Sequence, residues 1–240
     1  MKILVVTGAT RGLGLAIARR AAADGYRVIA SGRRLSEGLL ALQAEYPDHV
    51  LFEVLDLADL ASVHPFAMRI SATYGRPWAL VNNAARGTDG VLATLHERDI
   101  SELLRVNVEA PILLTKYLLR PMLLNRSGRI INISSIIAST GFSGLSVYAA
   151  SKAALAGFTR SLAREVGKAG ITVNTVAPGY METEMTSGLQ GDKLQAIRRR
   201  SPLGRLAAPE DVAAAVSYLL SEQAVNVTGT TLTVDAGSTA

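Results

Sequence analysis

The fold of this 240-residue chain is indicated by one stretch near its start, Ile3-Leu4-Val5-Val6-Thr7-Gly8-Ala9-Thr10-Arg11-Gly12-Leu13-Gly14. Its first residues are apolar or β-branched, as a strand buried on both faces of a sheet requires. The glycines predict a tight turn, and the following run, Leu15-Ala16-Ile17-Ala18-Arg19-Arg20, has helical spacing. A strand, a glycine turn and a helix in this order are typical of an open α/β sheet.

Short apolar runs and longer helical patterns alternate along the rest of the chain. This alternation predicts an α/β fold, a Rossmann-type doubly wound sheet of seven parallel strands flanked by helices on both faces. The predicted strands are Ile3–Thr7, Arg27–Ser31, Val50–Leu55, Ala79–Asn82, Gly128–Ser134, Thr172–Ala177 and Thr231–Val234. The predicted helices cover about 12–24, 36–46, 59–74, 96–124, 146–168 and 209–221. We expect one domain over 1–240, in which the irregular segment at about 180–206 forms a substrate lid.

The composition excludes several kinds of protein. The chain has no cysteine, which excludes disulfides, thiolate zinc sites and a cysteine nucleophile, and we expect no metal site. No apolar run approaches the length of a membrane span, and the first residues lead into a strand rather than a signal-peptide cleavage site. We therefore expect a soluble, cytoplasmic protein without a membrane partner.

The net charge of +5 raises the question of a nucleic-acid partner. Most of the basic residues are scattered, and no aromatic platform accompanies the two clusters, Arg33-Arg34 and Arg198-Arg199-Arg200. We therefore expect no nucleic-acid binding, because the charge also suits phosphate-bearing small molecules and acidic carrier proteins.

The glycine turn predicts a phosphate-binding site. A turn without side chains lets backbone N–H groups approach a pyrophosphate, and the helix N-terminus adds a partial positive charge. The alternative is that the glycines only shape a tight turn. The residues that we place at the cofactor here are Gly8, Thr10, Arg11, Gly12, Leu13 and Gly14.

The end of the second predicted strand favours NADP(H) over NAD(H). An acidic residue there would bind the adenosine ribose and exclude a 2′-phosphate, but the sequence is Gly32-Arg33-Arg34, whose guanidinium groups can pair with a phosphate. The alternative is that these arginines are ordinary solvated charges. After the third strand, Asp56, next to Leu57, can accept a hydrogen bond from the adenine amino group or cap a helix.

A catalytic group is indicated by Tyr148-Ala149-Ala150-Ser151-Lys152, because residues four apart lie on one face of a helix. A nearby ammonium favours the phenolate and so moves the tyrosine toward acid–base chemistry near neutral pH. Ser135, thirteen residues upstream, ends a strand at the carboxyl edge of the sheet, where its hydroxyl can hold a substrate oxygen. The alternative for the tyrosine and the lysine is a surface pair.

With these motifs together, the sequence resembles the short-chain dehydrogenase/reductase family over essentially its whole length. The resemblance implies that Tyr148 is the general acid/base, that Lys152 lowers its pKa and binds the nicotinamide ribose, and that Ser135 polarises the carbonyl. It also implies that Asn107 positions a water in the proton relay; alternatively, its amide only bonds a neighbouring helix backbone. The implied reaction transfers a hydride between the nicotinamide and a carbonyl or alcohol.

Two further stretches match the family. Asn82-Asn83-Ala84-Ala85 is expected to pack on the adenosine ribose, and Pro178-Gly179-Tyr180-Met181-Glu182-Thr183 to line the nicotinamide, with Thr183 near its amide or the phosphates. Two residues depart from the family pattern. Ala85 and Ala236 stand where glycine is usual, and the methyl of Ala85 is expected to shift cofactor affinity modestly.

Within the family, the chain is most similar to the 3-oxoacyl-(acyl-carrier-protein) reductases, particularly over Gly128–Ser135 and Val225–Gly229. Those enzymes dock an acidic carrier on basic residues beside the cleft, and Arg126 matches one such position. A second expected arginine is Ala169 here, with Lys168 adjacent, although Arg198-Arg199-Arg200 on the lid could substitute. The alternative is that all these cations are solvated.

Two other functions stay open. An NADP(H) reductase of a free small ketone, polyol or aromatic carbonyl would keep every catalytic residue, and a non-catalytic cofactor-binding regulator would bind NADPH without turnover. The family also implies a homotetramer that forms through the helices near 96–124 and 146–168 and through the last strand.

Overall fold

A computed structural model describes residues 1–181, 198–199 and 201–240. Its centre is a parallel sheet with the strand order β3-β2-β1-β4-β5-β6-β7. The strands are β1 (Ile3–Thr7), β2 (Arg27–Gly32), β3 (Val50–Val54), β4 (Ala79–Asn82), β5 (Gly128–Ile133), β6 (Ile171–Pro178) and β7 (Thr231–Val234). The predicted doubly wound sheet of seven parallel strands is confirmed, and each strand begins and ends within one residue of its predicted bounds.

The helices connect the strands on both faces of the sheet. They are α1 (Gly12–Ala23), α2 (Glu37–Glu45), α3 (Val63–Tyr74), α4 (Glu97–Leu104), α5 (Ala110–Asn125), α6 (Ile137–Thr140), α7 (Ser146–Val166) and α8 (Pro209–Leu220). Short 3-10 turns occur at Leu60–Ser62, Leu92–Thr94, Gly167–Ala169 and Glu222–Ala224. In the part of the chain that the structure describes, no helix is long and apolar enough to cross a membrane.

The sheet separates two apolar cores. Leu4 and Val6 of β1 pack into one core with α1 and α8, whereas Val5 packs into the other with α3 and α5. Successive side chains of a strand face opposite sides, so a strand covered on both faces needs apolar residues at every position. This is why the strand sequences read as continuous apolar runs rather than as alternating ones.

One predicted helix is corrected by the structure. The expected uninterrupted helix at about 96–124 consists of α4, a π-helical turn at Arg105–Glu109, and α5. The turn contains Asn107, which is buried and bonds two other segments, so tertiary contacts outweigh regular helix geometry there. The short helix α6 was not predicted, and of the predicted lid only 180–181, 198–199 and 201–206 lie within the described residues.

Candidate active site

The candidate site lies at the carboxyl ends of β1, β4, β5 and β6. Strand β1 has β2 on one side and β4 on the other, so the direction of strand progression reverses between β1 and β4. In open α/β sheets the crevice beyond the carboxyl edge at such a reversal is where ligands bind. Loops that follow these four strands supply most of the residues predicted to bind cofactor and substrate.

The glycine turn has the shape that a pyrophosphate site needs. Gly8 adopts φ +64°, a left-handed conformation that favours glycine. A Cβ on Gly14 would lie 2.1 Å from the Gly8 carbonyl oxygen, so no side chain fits there. Helix α1 begins at Gly12, and its N-cap Arg11 is extended and makes no side-chain capping bond. The turn and the helix N-terminus together fit an anion.

Two residues that directly follow the neighbouring strand β4 hold the glycine turn in place. The Thr7 hydroxyl oxygen accepts hydrogen bonds from Asn83 N and Ala84 N, both at 3.0 Å. The Asn83 amide donates to Thr7 O at 2.8 Å and to Gly8 O at 3.2 Å. Asn83 and Ala84 therefore fix the position of the backbone at Thr7 and Gly8, where the glycine turn begins. Sequence reasoning assigned no role to Thr7, although the residue directly precedes Gly8 at the start of the glycine turn.

The arginines that favour NADP(H) lie next to this turn. Arg33 and Arg34 are exposed and follow β2 directly, and Arg11 is exposed at the start of α1. A Cβ on Gly32 would approach Thr10 Cγ2 to 2.7 Å, so Gly32 lets the end of β2 pack against the glycine turn. The structure thus places these guanidinium groups at the same edge of the sheet as the phosphate-binding turn.

Asp56 does not cap the helical turn that follows it, as one of its two predicted roles required. Its carboxylate accepts a hydrogen bond from Ala58 N at 3.0 Å, a local turn that resembles a helix cap, while the adjacent Leu57 is buried. The 3-10 turn at Leu60–Ser62 is capped by Asp59, whose carboxylate accepts from Ala61 N at 3.1 Å. The predicted contact of Asp56 with the adenine amino group stays a prediction.

Ser135 and Tyr148 are brought together as predicted. Ser135 follows β5 and Tyr148 lies in the first turn of α7, and their hydroxyls are hydrogen-bonded. Burial raises the pKa of Tyr148 to about 12, while the hydrogen bond from Ser135 acts in the opposite direction by stabilising the phenolate. Tyr148 is therefore protonated at neutral pH, as a proton donor must be.

Lys152 lies one turn along α7 and is almost completely buried. Its ammonium donates to the Ile133 carbonyl at 2.8 Å and is 5.7 Å from the centroid of the Tyr148 ring. Burial lowers the pKa of Lys152 to about 8. The sequence predicted that this cation would lower the pKa of Tyr148; in the structure, burial is the larger influence and raises it.

The side chain of Asn107 joins three segments of the site. Its amide oxygen accepts from Arg86 N at 2.7 Å, and its amide nitrogen donates to Arg86 O at 2.9 Å and to the Ser151 hydroxyl at 3.1 Å. Ser151 in turn donates to Tyr148 O at 2.7 Å. The backbone-bonding alternative for Asn107 is thus observed, with a loop in place of a helix. Its role in a proton relay stays a prediction.

Comparison with known proteins identifies this arrangement. A family model described as enoyl-(acyl carrier protein) reductase matches residues 8–239. The chain is 40% identical over 237 residues to the 3-oxoacyl-(acyl-carrier-protein) reductase of Escherichia coli (strain K12), covering 98% of this chain and 96% of that protein. The chain belongs to the short-chain dehydrogenase/reductase family. It is therefore a nicotinamide-dependent oxidoreductase, as the motifs predicted.

Other relatives extend the comparison. The corresponding reductase of Vibrio cholerae serotype O1 is 39% identical over 98% of this chain and 96% of that protein. A solved structure, a putative NAD(P)-dependent gluconate 5-dehydrogenase from Beutenbergia cavernae with bound NADP, matches with a TM-score of 0.93, 37% identity and coverage of 99% and 96%. A gluconate 5-dehydrogenase from Burkholderia cenocepacia, in complex with NADP and tartrate, matches with a TM-score of 0.94, 29% identity and coverage of 99% and 95%.

The nicotinamide side of this short-chain dehydrogenase/reductase is described in part. The Pro178 carbonyl accepts from Ile136 N at 3.0 Å, and Gly179 N donates to Val234 O at 2.9 Å. A Cβ on Gly179 would approach Asp235 Cβ to 2.7 Å, so glycine is required for β6 and β7 to continue so close together. Met181 packs against the core shared with α1 and α8. Thr183, predicted to contact the cofactor, lies outside the described residues.

The two departures from the family pattern differ in their consequences. Ala85 is half-buried and lies outside the left-handed region, so its methyl is accommodated without backbone strain. Ala236 adopts φ +56°, a conformation that costs an alanine about 1 kcal/mol relative to glycine. The departure at Ala236 is therefore the strained one, and it lies just after the edge strand β7.

The predicted carrier-docking residues need a correction. Arg126 Nη2 donates to the Lys168 carbonyl at 2.9 Å, so the two residues are neighbours, as expected. However, Arg126 precedes β5 and Lys168 precedes β6, which places both at the amino edge of the sheet. Ser135 follows β5, about 20 Å away at the usual rise per strand residue. Within one chain these cations do not border the cleft.

Proposed function

We propose that this chain is an NADPH-dependent reductase of 3-oxoacyl thioesters, which an acyl carrier protein delivers. The observation that carries the reductase is the hydrogen-bonded, half-buried pair of Ser135 and Tyr148 beside the buried Lys152. The substrate class rests on about 40% identity to 3-oxoacyl-(acyl-carrier-protein) reductases over nearly the whole chain.

The cofactor is NADP(H). Two observations support its fit. The glycine turn is so tight that no side chain fits at Gly14 beside the Gly8 carbonyl, and Arg33 and Arg34 are exposed directly after β2. A planar guanidinium can pair a 2′-phosphate with two hydrogen bonds, whereas an acidic residue at this place would repel it. The two similar solved structures both hold NADP.

The residues of the site perform the acid–base part of the reaction. When bound, the cofactor supplies the hydride that reaches the carbonyl carbon. The Ser135 hydroxyl holds the carbonyl oxygen, and the Tyr148 phenol, protonated at neutral pH, transfers its proton to that oxygen as negative charge develops there. The Lys152 ammonium, which Ile133 O holds in place, stabilises the phenolate that remains.

A second candidate is oxidation or reduction of a free small molecule. It is favoured by the two solved structures, whose names give gluconate 5-dehydrogenase activity at 37% and 29% identity. This alternative keeps the same proton donor and differs only in what the surrounding loops contact. A non-catalytic regulator is the remote third candidate, and the intact Tyr148 and Lys152 weigh against it.

The test follows NADPH absorbance with purified protein. The substrates are a 3-oxoacyl thioester, 5-ketogluconate and a panel of simple ketones, with NADH in parallel and gluconate with NADP⁺ for the reverse direction. We expect rapid thioester-dependent oxidation of NADPH and a loss of about 10²- to 10⁴-fold in Tyr148→Phe. The matched control is Tyr218→Phe, which removes the hydroxyl of a partly exposed tyrosine on α8 and is expected to change nothing.

Each outcome decides between the three candidates. Turnover of the thioester that disappears in Tyr148→Phe supports the proposed reductase. Turnover of 5-ketogluconate or gluconate alone would replace it by the small-molecule dehydrogenase. Binding of NADPH without turnover of any carbonyl would contradict the catalytic proposal and support the regulator.

Carrier binding depends on a further proposal, the homotetramer. Arg126 and Lys168 lie at the opposite edge of the sheet from Tyr148, so in our proposal they serve the cleft of another copy in the assembly. The half-exposed edge strand β7 is one surface for that assembly. Arg126→Ala should raise KM for a carrier-bound substrate but not for a free thioester. A monomer on sizing chromatography at micromolar concentration would contradict the tetramer.

The proposed domain and location follow from the same fold. One sheet contains strands from Ile3 to Val234, so we propose that 1–240 form one catalytic domain, with the lid at about 180–206. We also propose a cytoplasmic location. Fractionation of cells expressing the full-length chain would test it.

A further inference from the structure

An unusually exposed aromatic side chain lies close to the proposed catalytic pair. Phe142 belongs to the loop between α6 and α7 and is 55% exposed, although phenylalanine is mostly buried in folded proteins. Its ring packs edge-on against Tyr180, with 6.2 Å between centroids and 69° between planes. The ring is thus fixed on one side by an aromatic contact and open on the other.

The surrounding contacts place this aromatic pair at the substrate side of the site. Phe142 lies in the segment that begins with Ser135 and ends with Tyr148, the two hydroxyls that hold the substrate oxygen in our proposal. Tyr180 comes two residues after Pro178, whose carbonyl accepts from Ile136 N at 3.0 Å. The ring of Phe142 therefore bridges the loops that follow β5 and β6.

The loop that follows β4 adds exposed apolar side chains near the Phe142 loop. Gly90 N donates to Gly144 O at 3.0 Å, which fastens this loop to the Phe142 loop. Directly beyond Gly90, Val91 and Leu92 are 63% and 58% exposed. Exposed apolar side chains that gather beside a polar site mark a surface for an apolar ligand.

The charges of the same loops argue against an anionic group at this place. The segment from Ile136 to Val147 contains no charged residue. In the loop after β4, Arg86 is ion-paired with both Asp99 and Glu102, so its charge is neutralised. Asp89 adds an exposed negative charge next to Gly90. A sugar acid would meet repulsion from these described residues, whereas an alkyl chain would not.

We propose that Phe142, supported by Tyr180, is a specificity-determining residue that contacts the acyl chain of the substrate. The inference rests on the proposed function and deepens it. The substrate class is a 3-oxoacyl thioester with a chain long enough to reach the ring, because the ring gains from contact only with methylene groups beyond the reacting carbonyl.

The experiment compares two chain lengths in two variants. Phe142→Ala and the control Leu40→Ala, which truncates a 52% exposed leucine on α2, are assayed with N-acetylcysteamine thioesters of 3-oxobutanoate and 3-oxooctanoate. We expect Phe142→Ala to lower kcat/KM about 10-fold for the longer substrate and less than about twofold for the shorter one. Phe142→Leu should recover most of the loss, and Leu40→Ala should leave both values unchanged.

The outcomes separate this inference from the proposed function. An equal loss on both thioesters, or no loss on either, with NADPH binding and melting temperature unchanged, would overturn the inference but not the reductase. If the unaltered protein reduces no thioester, the proposed function fails, and the comparison is repeated with 2-butanone and 2-octanone. A length-dependent effect of Phe142→Ala on the ketones would still support the apolar contact. Turnover of gluconate with no apolar carbonyl reduced would overturn it.

Discussion

The two edges of the sheet each bury a cation, but they treat it differently. At the amino edge, the Arg129 guanidinium is 5.2 Å from the Trp78 ring, donates to Gly128 O at 3.0 Å and is 3.7 Å from the Glu222 carboxylate. At the carboxyl edge, Lys152 has the Ile133 carbonyl at 2.8 Å, and it makes no ion pair within 1–181, 198–199 and 201–240. The Arg129 guanidinium thus has an aromatic ring and a carboxylate beside it, although its Nε makes no hydrogen bond within the part of the chain that the structure describes. Among the same described residues, Lys152 has neither beside its ammonium except the ring of Tyr148 at 5.7 Å, and burial lowers its pKa.

The ring of Trp78 organises the amino edge. It stacks on Tyr26 with 5.9 Å between centroids and lies 4.0 Å from the Lys2 ammonium. Its indole N–H donates to the Ser127 hydroxyl at 3.0 Å. Aromatic stacking, two cation contacts and a satisfied polar group make this edge a purely structural cluster. The uncompensated Lys152 is therefore a feature of the functional edge, where burial serves chemistry rather than folding.

The largest expected effect comes from Lys152→Met, which replaces the buried cation with an apolar chain of similar length. We expect activity to fall about 10²- to 10⁴-fold, because no ammonium remains to stabilise the phenolate. Stability at pH 7 should rise by about 3 kcal/mol, less the value of the lost hydrogen bond, because a pKa lowered from 10.5 to about 8 measures the cost of burying the charge. Thermal unfolding and NADPH oxidation measure the two effects.

The control for this prediction is Lys116→Met on α5, which removes an exposed ammonium. It should leave both activity and melting temperature near those of the native chain. A Lys152→Met protein that is less stable than the native one at pH 7 would show that the carbonyl contact compensates the charge after all.

The next largest effect is expected from Trp78→Leu at the amino edge. Loss of the stacking, cation and hydrogen-bond contacts should lower the free energy of unfolding by about 3 kcal/mol. Because this edge lies a strand length from Tyr148, kcat/KM should stay within about twofold of the native value. Urea unfolding and steady-state kinetics at 25 °C would measure both. A large change in kcat/KM for a Trp78→Leu protein that is still folded would contradict a purely structural role for the amino edge.

The pH dependence of stability should show the buried lysine directly. Between about pH 8 and 10.5 the unfolded chain still holds the Lys152 proton that the native chain has released. The unfolded state binds more protons there, so stability rises with pH, by up to about 1.4 kcal/mol per pH unit. Above pH 10 the raised pKa of Tyr148 reverses the sign, because the unfolded chain loses its phenol proton first.

Urea titrations at intervals from pH 7 to 11 test this dependence. The rise in stability between about pH 8 and 10.5 should be absent in Lys152→Met. The fall in stability above pH 10 should be weaker in Tyr148→Phe. If the free energy of unfolding changed with pH in the same way for the native chain and for Lys152→Met between pH 8 and 10, a lowered pKa for Lys152 would be contradicted.

The smallest expected effect is that of Glu222→Gln. The hydrogen bond and charge of Lys2 lower the pKa of Glu222, so the carboxylate stabilises the fold above the ordinary glutamate pKa, and this stability is lost as the pH falls through the native value. Because Glu222 is mostly exposed, solvent screens its ion pairs with both Lys2 and Arg129, and the cost should be at most about 1 kcal/mol at pH 7. The difference between the two proteins should vanish in 1 M salt, and a difference that survives there would point to packing instead.

The sheet could be predicted because burial on both faces leaves a direct record in the sequence. Strand β1 is apolar up to its last residue and β5 is apolar at most positions, and the glycine turn marks where β1 ends. The π-helical turn at Arg105–Glu109 leaves no such record, since it depends on Asn107 meeting Arg86 from another loop. The same holds for α6, a four-residue helix without an amphipathic period.

The sequence was sufficient to predict which residues form the candidate site, but not which atoms they contact. The spacing of Tyr148 and Lys152 fixed their common helix face, and Ser135 was placed at the correct edge. The partner of Lys152, a backbone carbonyl, could not be read from residue types. Arg126 lies at the opposite edge because it comes before β5, whereas Ser135 comes after it.

The π-helical turn has a consequence for the evolution of this chain by insertion and deletion. A π turn accommodates one residue more than the α-helical turn it replaces, while the helices on either side keep nearly the same phase. Deleting one residue between 105 and 109 should therefore restore a continuous α-helix and leave the buried Leu114 and Leu118 in the core. The deletion would instead remove the wide turn that brings the Asn107 amide to Arg86 and Ser151. We therefore expect such a deletion to be tolerated by the fold but not by the site.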